Sequence, residues 1–156
     1  MRGMIRVDRK LSQEPAAEVL QKGTWGVLSS VCDDGLPYGI PLNYVADGAY
    51  TVYFHGAKSG QKWDNLAYNS RVCLTVVPTV DTDVKQLTTR YESVMAFGTA
   101  QIVDDEDERQ KALTLLIERF SPALTQAERA VYLQRFADKT AIVKMEIEYI
   151  SGKANR

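Results

Sequence analysis

A mainly β, α+β fold is what this sequence predicts: six antiparallel strands closed into a small barrel, with helices added at three points. Three observations carry that prediction. Short apolar runs are joined by tight turns at Asp34-Gly35 and Asp47-Gly48, and Asp-Gly between apolar runs is a strong hairpin signal. The last apolar runs, 71–78 and 140–150, alternate along the chain, as strands with two different faces do. Helical stretches interrupt the strands irregularly, which does not suit a doubly wound parallel sheet. The 156 residues fit one domain, 1–156, without internal repeats.

Residues 12–22 read as a short helix. Ser12 can cap it, Pro15 is tolerated in its first turn, and Gly23 stops it. Leu11, Val19 and Leu20 supply its apolar contact. A strand at 24–31 turns at Asp34-Gly35 into a return strand at 38–45. Pro41 has no N–H to give a ladder, so it marks an edge, a bulge, or a segment where something other than a strand docks. The third strand runs over 49–55. From Ser59 the period becomes helical, with Trp63, Leu66, Ala67 and Ser70 on one face.

Residues 71–78 form a fourth strand, 79–89 a polar loop, and 90–103 a long fifth strand in which Gly98 makes a bulge or bend. The helix at 104–120 opens on five acids, Asp104 to Glu108, favourable at the positive end of its dipole. Ala112, Leu113, Leu116, Ile117 and Phe120 are its buried stripe. Thr125-Gln126-Ala127-Glu128 is a capping box for another helix to about residue 137, with Val131 and Phe136 toward the core. The sixth strand is 140–150, followed by a polar tail, 151–156.

Composition excludes several classes of function. A net charge of −1 and a pI near 5.9 give no global attraction to nucleic acid or anionic membrane. One histidine and two separated cysteines do not make a zinc motif. Cys32 and Cys73 read as small buried hydrophobes in a reducing compartment. Residues 1–10 are basic without the apolar core of a signal peptide, and no run approaches the ~20 apolar residues of a membrane helix. A cytoplasmic location is expected.

The stretch most suggestive of chemistry is 53–62, Tyr-Phe-His-Gly-Ala-Lys-Ser-Gly-Gln-Lys. A strand ends at His55, the only histidine, and a helix opens near Lys62. Free backbone N–H groups and the positive dipole end converge at such a start, which suits a phosphate. It is not a nucleotide P-loop: three residues separate Gly56 from Gly60 where four are required, and Gln61 precedes Lys62. No GxGxxG dinucleotide motif occurs. What remains is a generic anion cradle, whose plain alternative is a loop with a solvated lysine. His55 reads either as a structural residue or as a group beside the ligand. Asn43 and Tyr44 either mark an exposed strand face or line a docked ring near Pro41.

Pro41-Leu42-Asn43-Tyr44-Val45, Tyr53-Phe54-His55-Gly56-Ala57, Gly60-Gln61-Lys62, Asn69-Ser70-Arg71-Val72-Cys73, Tyr91-Glu92-Ser93-Val94 with Gly98, and Ile150-Ser151-Gly152-Lys153 occur in that order. As a set these blocks resemble the FMN-binding split-barrel superfamily, and within it the 5-nitroimidazole reductase (Nim)-like group of pyridoxamine 5′-phosphate oxidase-related proteins. The resemblance implies a homodimer with FMN in clefts at the subunit interface. It assigns Gly56, Ala57, Gly60, Gln61 and Lys62 to the phosphate end. Pro41, Leu42, Asn43 and Tyr44 go to the flavin ring, His55 to a place beside the flavin and the substrate, and Ser93 to the phosphate. The end of the chain, 150–156, lacks the arginine-bearing segment that holds substrate in true pyridoxamine 5′-phosphate oxidases.

The implied activity is therefore an FMN-dependent reduction of small aromatic or nitro compounds, with His55 as the catalytic candidate. The alternative is a flavin- or haem-binding carrier, sensor or electron-transfer protein without turnover, in which His55 is a candidate axial ligand. A third reading is an interaction module that has lost its cofactor.

Overall fold

The computed structural model describes residues 3–137 and 139–156. Its strands are β1 (Lys10–Leu11), β2 (Trp25–Val31), β3 (Pro37–Asp47), β4 (Thr51–Gly56), β5 (Arg71–Asp83), β6 (Thr88–Ile102) and β7 (Ala141–Asn155). Its helices are α1 (Gln13–Lys22), α2 (Gln61–Tyr68), α3 (Glu106–Phe120) and α4 (Gln126–Ala137). The strands pair in the order β1-β7-β4-β3-β2-β5-β6, and a further β7–β6 pairing closes the ring. All pairs are antiparallel. Six strands thus form the expected barrel, with the short β1 attached outside it.

The two Asp-Gly turns form where expected, Gly35 at φ 84° and Gly48 at φ 73°. These are left-handed conformations that a Cβ makes costly. The interior is filled from alternate strand positions, among them Leu28, Tyr44, Phe54, Leu74, Ala96, Val143 and Met145. α1 adds Ala16, Val19 and Leu20, and α2 adds Trp63 and Leu66. α1 stops where Gly23 turns extended, not left-handed, with φ −65°; glycine is needed there for space, since a Cβ would collide with the Tyr44 hydroxyl and Val76. Arg119 on α3 donates to the carbonyls of Gln21, Lys22 and Gly23, meeting the unsatisfied acceptors of that helix end. Ser12 flanks α1 but its side chain makes no cap.

Several expectations give way to tertiary packing. The polar stretch 79–89 is no loop over most of its length: β5 runs to Asp83, β6 starts at Thr88, and only 84–87 turn. Residues 151–155 are strand, because β6 and β1 both pair with the end of β7. The ladder irregularity expected at Gly98 is there, but the bulged strand is β7, with Gly98 facing it from β6. Phe97 lies opposite Tyr149 but Gly98 opposite Ile147, so Glu148 is an extra residue and the alternation reverses beyond it. Ile147 and Ile150 are buried while Tyr149 is half exposed.

α2 buries Asn65 beside Trp63 and Leu66, whereas Ala67 and Ser70 are exposed. On α4, Val131 and Phe136 are exposed rather than core-facing, although the capping box forms as expected: the Thr125 N–H donates to Glu128 Oε2 at 2.8 Å and the Glu128 N–H to Thr125 Oγ1 at 3.3 Å. Cys32 and Cys73 are half-buried free thiols rather than core residues. No helix among the described residues is long and apolar enough to cross a membrane.

Candidate functional site

Strands β3 and β4 part company at the site. Their ladder runs from Asp47↔Thr51 to Tyr44↔Phe54 and ends there. Beyond it β3 pairs only with β2, and β4 only with β7. Asn43 and His55 would be the next opposed pair, and instead they stand on the two lips of an open seam. Pro41 sits on the unpaired side of β3, opposite Val27 of β2. Its missing N–H costs nothing at this local edge.

Side chains on β3 alternate across this seam. Leu42 and Tyr44 point into the barrel, Tyr44 fully buried with its hydroxyl donating to the Leu20 carbonyl at 2.6 Å. Their side chains do not reach the outer face, and the Tyr44 N–H is given to the Thr24 carbonyl on the β2 side. Pro41 is exposed and Asn43 half-buried, with Nδ2 donating to the Thr24 carbonyl at 3.3 Å.

A cavity of about 310 Å³ opens between this seam and the α3–α4 hairpin. Asn43, His55, Ser121 and Thr140 supply its polar groups. Leu113, Leu116, Ile117, Phe120, Leu124, Tyr132 and Phe136 supply its apolar walls. Tyr132 and Phe136 stack, with centroids 5.8 Å apart and planes 6° from parallel. His55 is exposed at the cavity rim; partial desolvation of its ring there, and then the nearby Lys62 charge, lower its pKa from the ordinary histidine value, which favours the neutral imidazole at neutral pH.

Lys62 is the most unusual charge in this region. Its Nζ lies 4.5 Å from the Trp63 ring centroid and 5.8 Å from that of Phe54. It pairs with no acid among the described residues, and burial lowers its pKa. It folds back over Gly56, where a Cβ would stand 2.5 Å from Nζ and 3.2 Å from Trp63. A side chain at position 56 would therefore displace the Lys62 tip. Gly60 is required by conformation, at φ 121°, and as the N-cap it leaves the first amides of α2 without a side-chain cap. Ala57 lies in the exposed turn between them.

α2 is held against the barrel by a polar chain. Gln61 Nε2 donates to Asn65 Oδ1 at 2.8 Å, and the buried Asn65 donates to Ser30 Oγ at 3.0 Å. Gln61 is thus committed to positioning α2.

The structure does not bring Ser93 to this group within one chain. Gly56 lies opposite Ala141 at the start of β7, while Ser93 lies opposite Lys153 near its end. At ~3.3 Å per residue that is roughly 40 Å along the strand.

Residues 12–154 match the family model described as pyridoxamine 5′-phosphate oxidase. The chain belongs to that family. Solved structures agree on the fold of this oxidase-family chain. A candidate 5-nitroimidazole antibiotic resistance protein from Bacteroides thetaiotaomicron is similar at TM-score 0.78 and 19% identity, over 92% of this chain and 85% of that one. A FAD-binding protein from Mesorhizobium loti is similar at TM-score 0.69 and 21% identity, over 95% and 98%. A FAD and heme binding protein from Mycobacterium smegmatis is similar at TM-score 0.72 and 21% identity, over 95% and 74%. No curated protein matches the sequence.

The cavity wall of this oxidase-family member is what sequence reasoning missed. Ile117, Phe120 and Phe136 carry helical spacing that reads as core, and periodicity does not distinguish a wall around space from a packed contact. Asn65 and Ser30 gave no signal at all, since a polar pair becomes visible only when α2 and β2 meet.

Proposed function

We propose that this chain is an FMN-dependent oxidoreductase acting on small planar aromatic or nitro compounds, nitroimidazoles among them. The observation that carries the reading is Lys62: a partly desolvated ammonium with no acid partner among the described residues, drawn over a glycine at the uncapped start of α2. A phosphate ester supplies the charge that this ammonium and the opening amides lack. Gly56 and Ala57 keep side chains out of the way and Gly60 admits the turn, so the residues present fit an FMN phosphate.

Bound FMN would supply hydride transfer, which no side chain here can perform. The protein's part is binding and orientation. Pro41 and Asn43 would border the ring along the open edge of β3, with Leu42 and Tyr44 packed behind them, and Asn43 offers its amide at the same lip. His55, neutral by virtue of its lowered pKa, holds one N–H with which to hydrogen-bond an acceptor in the cavity. The walls from α3 and α4 would exclude water and favour a flat apolar substrate.

A homodimer fits the same reading. The outer face of β2, β5 and β6 carries Trp25, Val27, Val77 and Met95, each 42–60% exposed. Val27, Thr75 and Met95 lie in one cross-strand row continuing to Pro41. A second copy covering this face would border the β3 lip, and only a second copy could bring Ser93 near Lys62. We place the protein in the cytoplasm on the same reading.

The test is an absorbance spectrum of protein purified without added cofactor, with a measurement of its molecular mass. A flavin band, a dimer, and at least ~10-fold weaker FMN binding in Lys62→Ala are expected, since a hydrogen bond to a charged group contributes about 1.5–3 kcal/mol. A colourless protein that takes up no FMN overturns the proposal. A second reading, a flavin- or haem-binding protein without turnover, draws on His55: a neutral imidazole at a cavity mouth suits iron. A Soret band that His55→Ala abolishes would select it.

A further inference from the structure

Asn65 is a polar side chain in an apolar place. It is fully buried on α2 beside Trp63 and Leu66, which belong to the barrel core. Its Nδ2 donates to Ser30 Oγ on β2 at 3.0 Å, and Ser30 is itself only 7% exposed. Its Oδ1 accepts from Gln61 Nε2 at 2.8 Å, one turn back at the first residue of the helix. The Gln61 amide also reaches the Cys32 thiol, just beyond β2, at 3.8 Å. A leucine has nearly the shape of asparagine and would be buried here without any need of a partner, so the amide does something that packing does not.

What it supplies is orientation. Apolar contacts between a helix and a sheet tolerate sliding and rotation, whereas a hydrogen bond between two buried groups holds in one geometry only. The chain from Ser30 through Asn65 to Gln61 ties the first turn of α2 to β2 in this way. That turn contains both parts of the anion cradle. The first helical bond runs from the Trp63 N–H to the Gly60 carbonyl at 2.8 Å, so the Gln61 and Lys62 amides precede the helix ladder. Lys62 lies over the Trp63 ring and moves with the helix that carries both.

The far end of α2 is fixed separately. The Asn69 N–H donates to the Asn65 carbonyl at 2.8 Å, and Asn69 Oδ1 accepts from the Arg71 N–H at 3.0 Å. Loss of the Asn65–Ser30 side-chain bond would therefore free the first turn without unseating the helix. Both side chains are buried, so any effect they have on an anion must pass through α2.

We propose that Asn65 and Ser30 are positioning residues for phosphate selection. Through Gln61 they aim the opening amides of α2 and the Lys62 ammonium at one point, and so set how strongly this chain prefers FMN to riboflavin. The inference rests on the FMN reading above and adds to it a residue pair that never meets the cofactor.

The test measures the affinities for FMN and for riboflavin, by flavin fluorescence, in the full chain and in Asn65→Leu/Ser30→Ala. Replacing both partners of a buried hydrogen bond by apolar groups of similar shape is close to neutral for stability, so the variant should melt within about 3 °C of the parent. Its FMN affinity should fall about tenfold while its riboflavin affinity stays unchanged, as for one charge-assisted hydrogen bond lost at the phosphate.

Lys62→Ala supplies the second readout. In the parent it should weaken FMN binding about tenfold, and in the Asn65→Leu/Ser30→Ala background by less than about threefold, because a lysine already off target has little left to lose. A pair that merely stabilised the fold would lower both flavin affinities together and leave the effect of Lys62→Ala intact. Should the paired variant fail to fold, Gln61→Met, at an exposed position, cuts the same chain, and the same loss of coupling to Lys62→Ala is expected.

An unchanged FMN-to-riboflavin ratio, or full additivity with Lys62→Ala, overturns the proposal. A parent that binds FMN no more tightly than riboflavin, or that is indifferent to Lys62→Ala, overturns the FMN reading and this inference with it. A parent that discriminates through Lys62, beside a paired variant that discriminates equally, overturns this inference alone.

Discussion

Lys62 lies over Gly56 so closely that a methyl group at position 56 would stand 2.5 Å from its ammonium nitrogen. The strand that ends the β4 ladder and the helix that follows it are thereby joined by one charge over one missing side chain. The nearest obstacle to a larger residue is a flexible tip rather than backbone, so Gly56→Ala should fold. It should displace Lys62 and weaken FMN binding several-fold, while thermal unfolding changes by less than about 1 kcal/mol. Fluorescence titration with FMN beside a melting curve checks this, and equal FMN affinity in parent and variant would detach Gly56 from the cradle.

His55 is the only histidine, so its ring protons give an unambiguous NMR titration. The midpoint should lie below the ordinary 6.5, because partial desolvation of this exposed side chain and then Lys62 disfavour the charged form. The unfolded chain then binds the proton more readily than the folded one. Stability should fall as pH drops from about 6.5 through the folded midpoint, and level off below it. In Lys62→Ala the midpoint should rise without reaching 6.5, since desolvation is the larger cause.

Tyr53 donates to Glu108 Oε1 at 2.7 Å, and Lys144 pairs with the same oxygen at 3.1 Å. Together they fasten α3 to the barrel over the cluster of Val45, Ala112, Leu116 and Ile142. The hydrogen bonds from Tyr53 and Lys144 lower the Glu108 pKa. The stability they contribute is present above pH 4.5 and lost as pH falls through the folded value. Tyr53→Phe should cost about 1 kcal/mol at pH 7 and flatten part of the acid limb, as read by urea unfolding across pH.

Gly98→Ala should be far more damaging. A Cβ there runs into the Glu146 carbonyl oxygen across the β6–β7 bulge, and neither backbone can yield alone. A loss of about 3 kcal/mol or more is expected, seen as low soluble yield or a melting temperature lowered by roughly 6–12 °C.

Much of the barrel was legible because its signals are local. Asp34-Gly35 and Asp47-Gly48 name their turns by backbone conformation, Gly98 the place where the β6–β7 ladder slips, and Thr125 with Glu128 its helix start. The polar strand segments 79–83 and 151–155 were not legible, because partner strands rather than their own composition hold them extended. Val131 and Phe136 misled for a related reason: an apolar stripe states that something covers it or lines it, and not which.

The sequence by itself determined the strand order of the hairpins, the glycine-bearing approach to Lys62, and the family to which those blocks point, since each depends on residues close together in the chain. Only the tertiary structure decided that β3 and β4 separate between Asn43 and His55, that α3 and α4 wall a cavity against them, and that Asn65 meets Ser30. Those facts depend on which strand finds which neighbour, and pairing across the barrel is fixed by the closure of the whole ring.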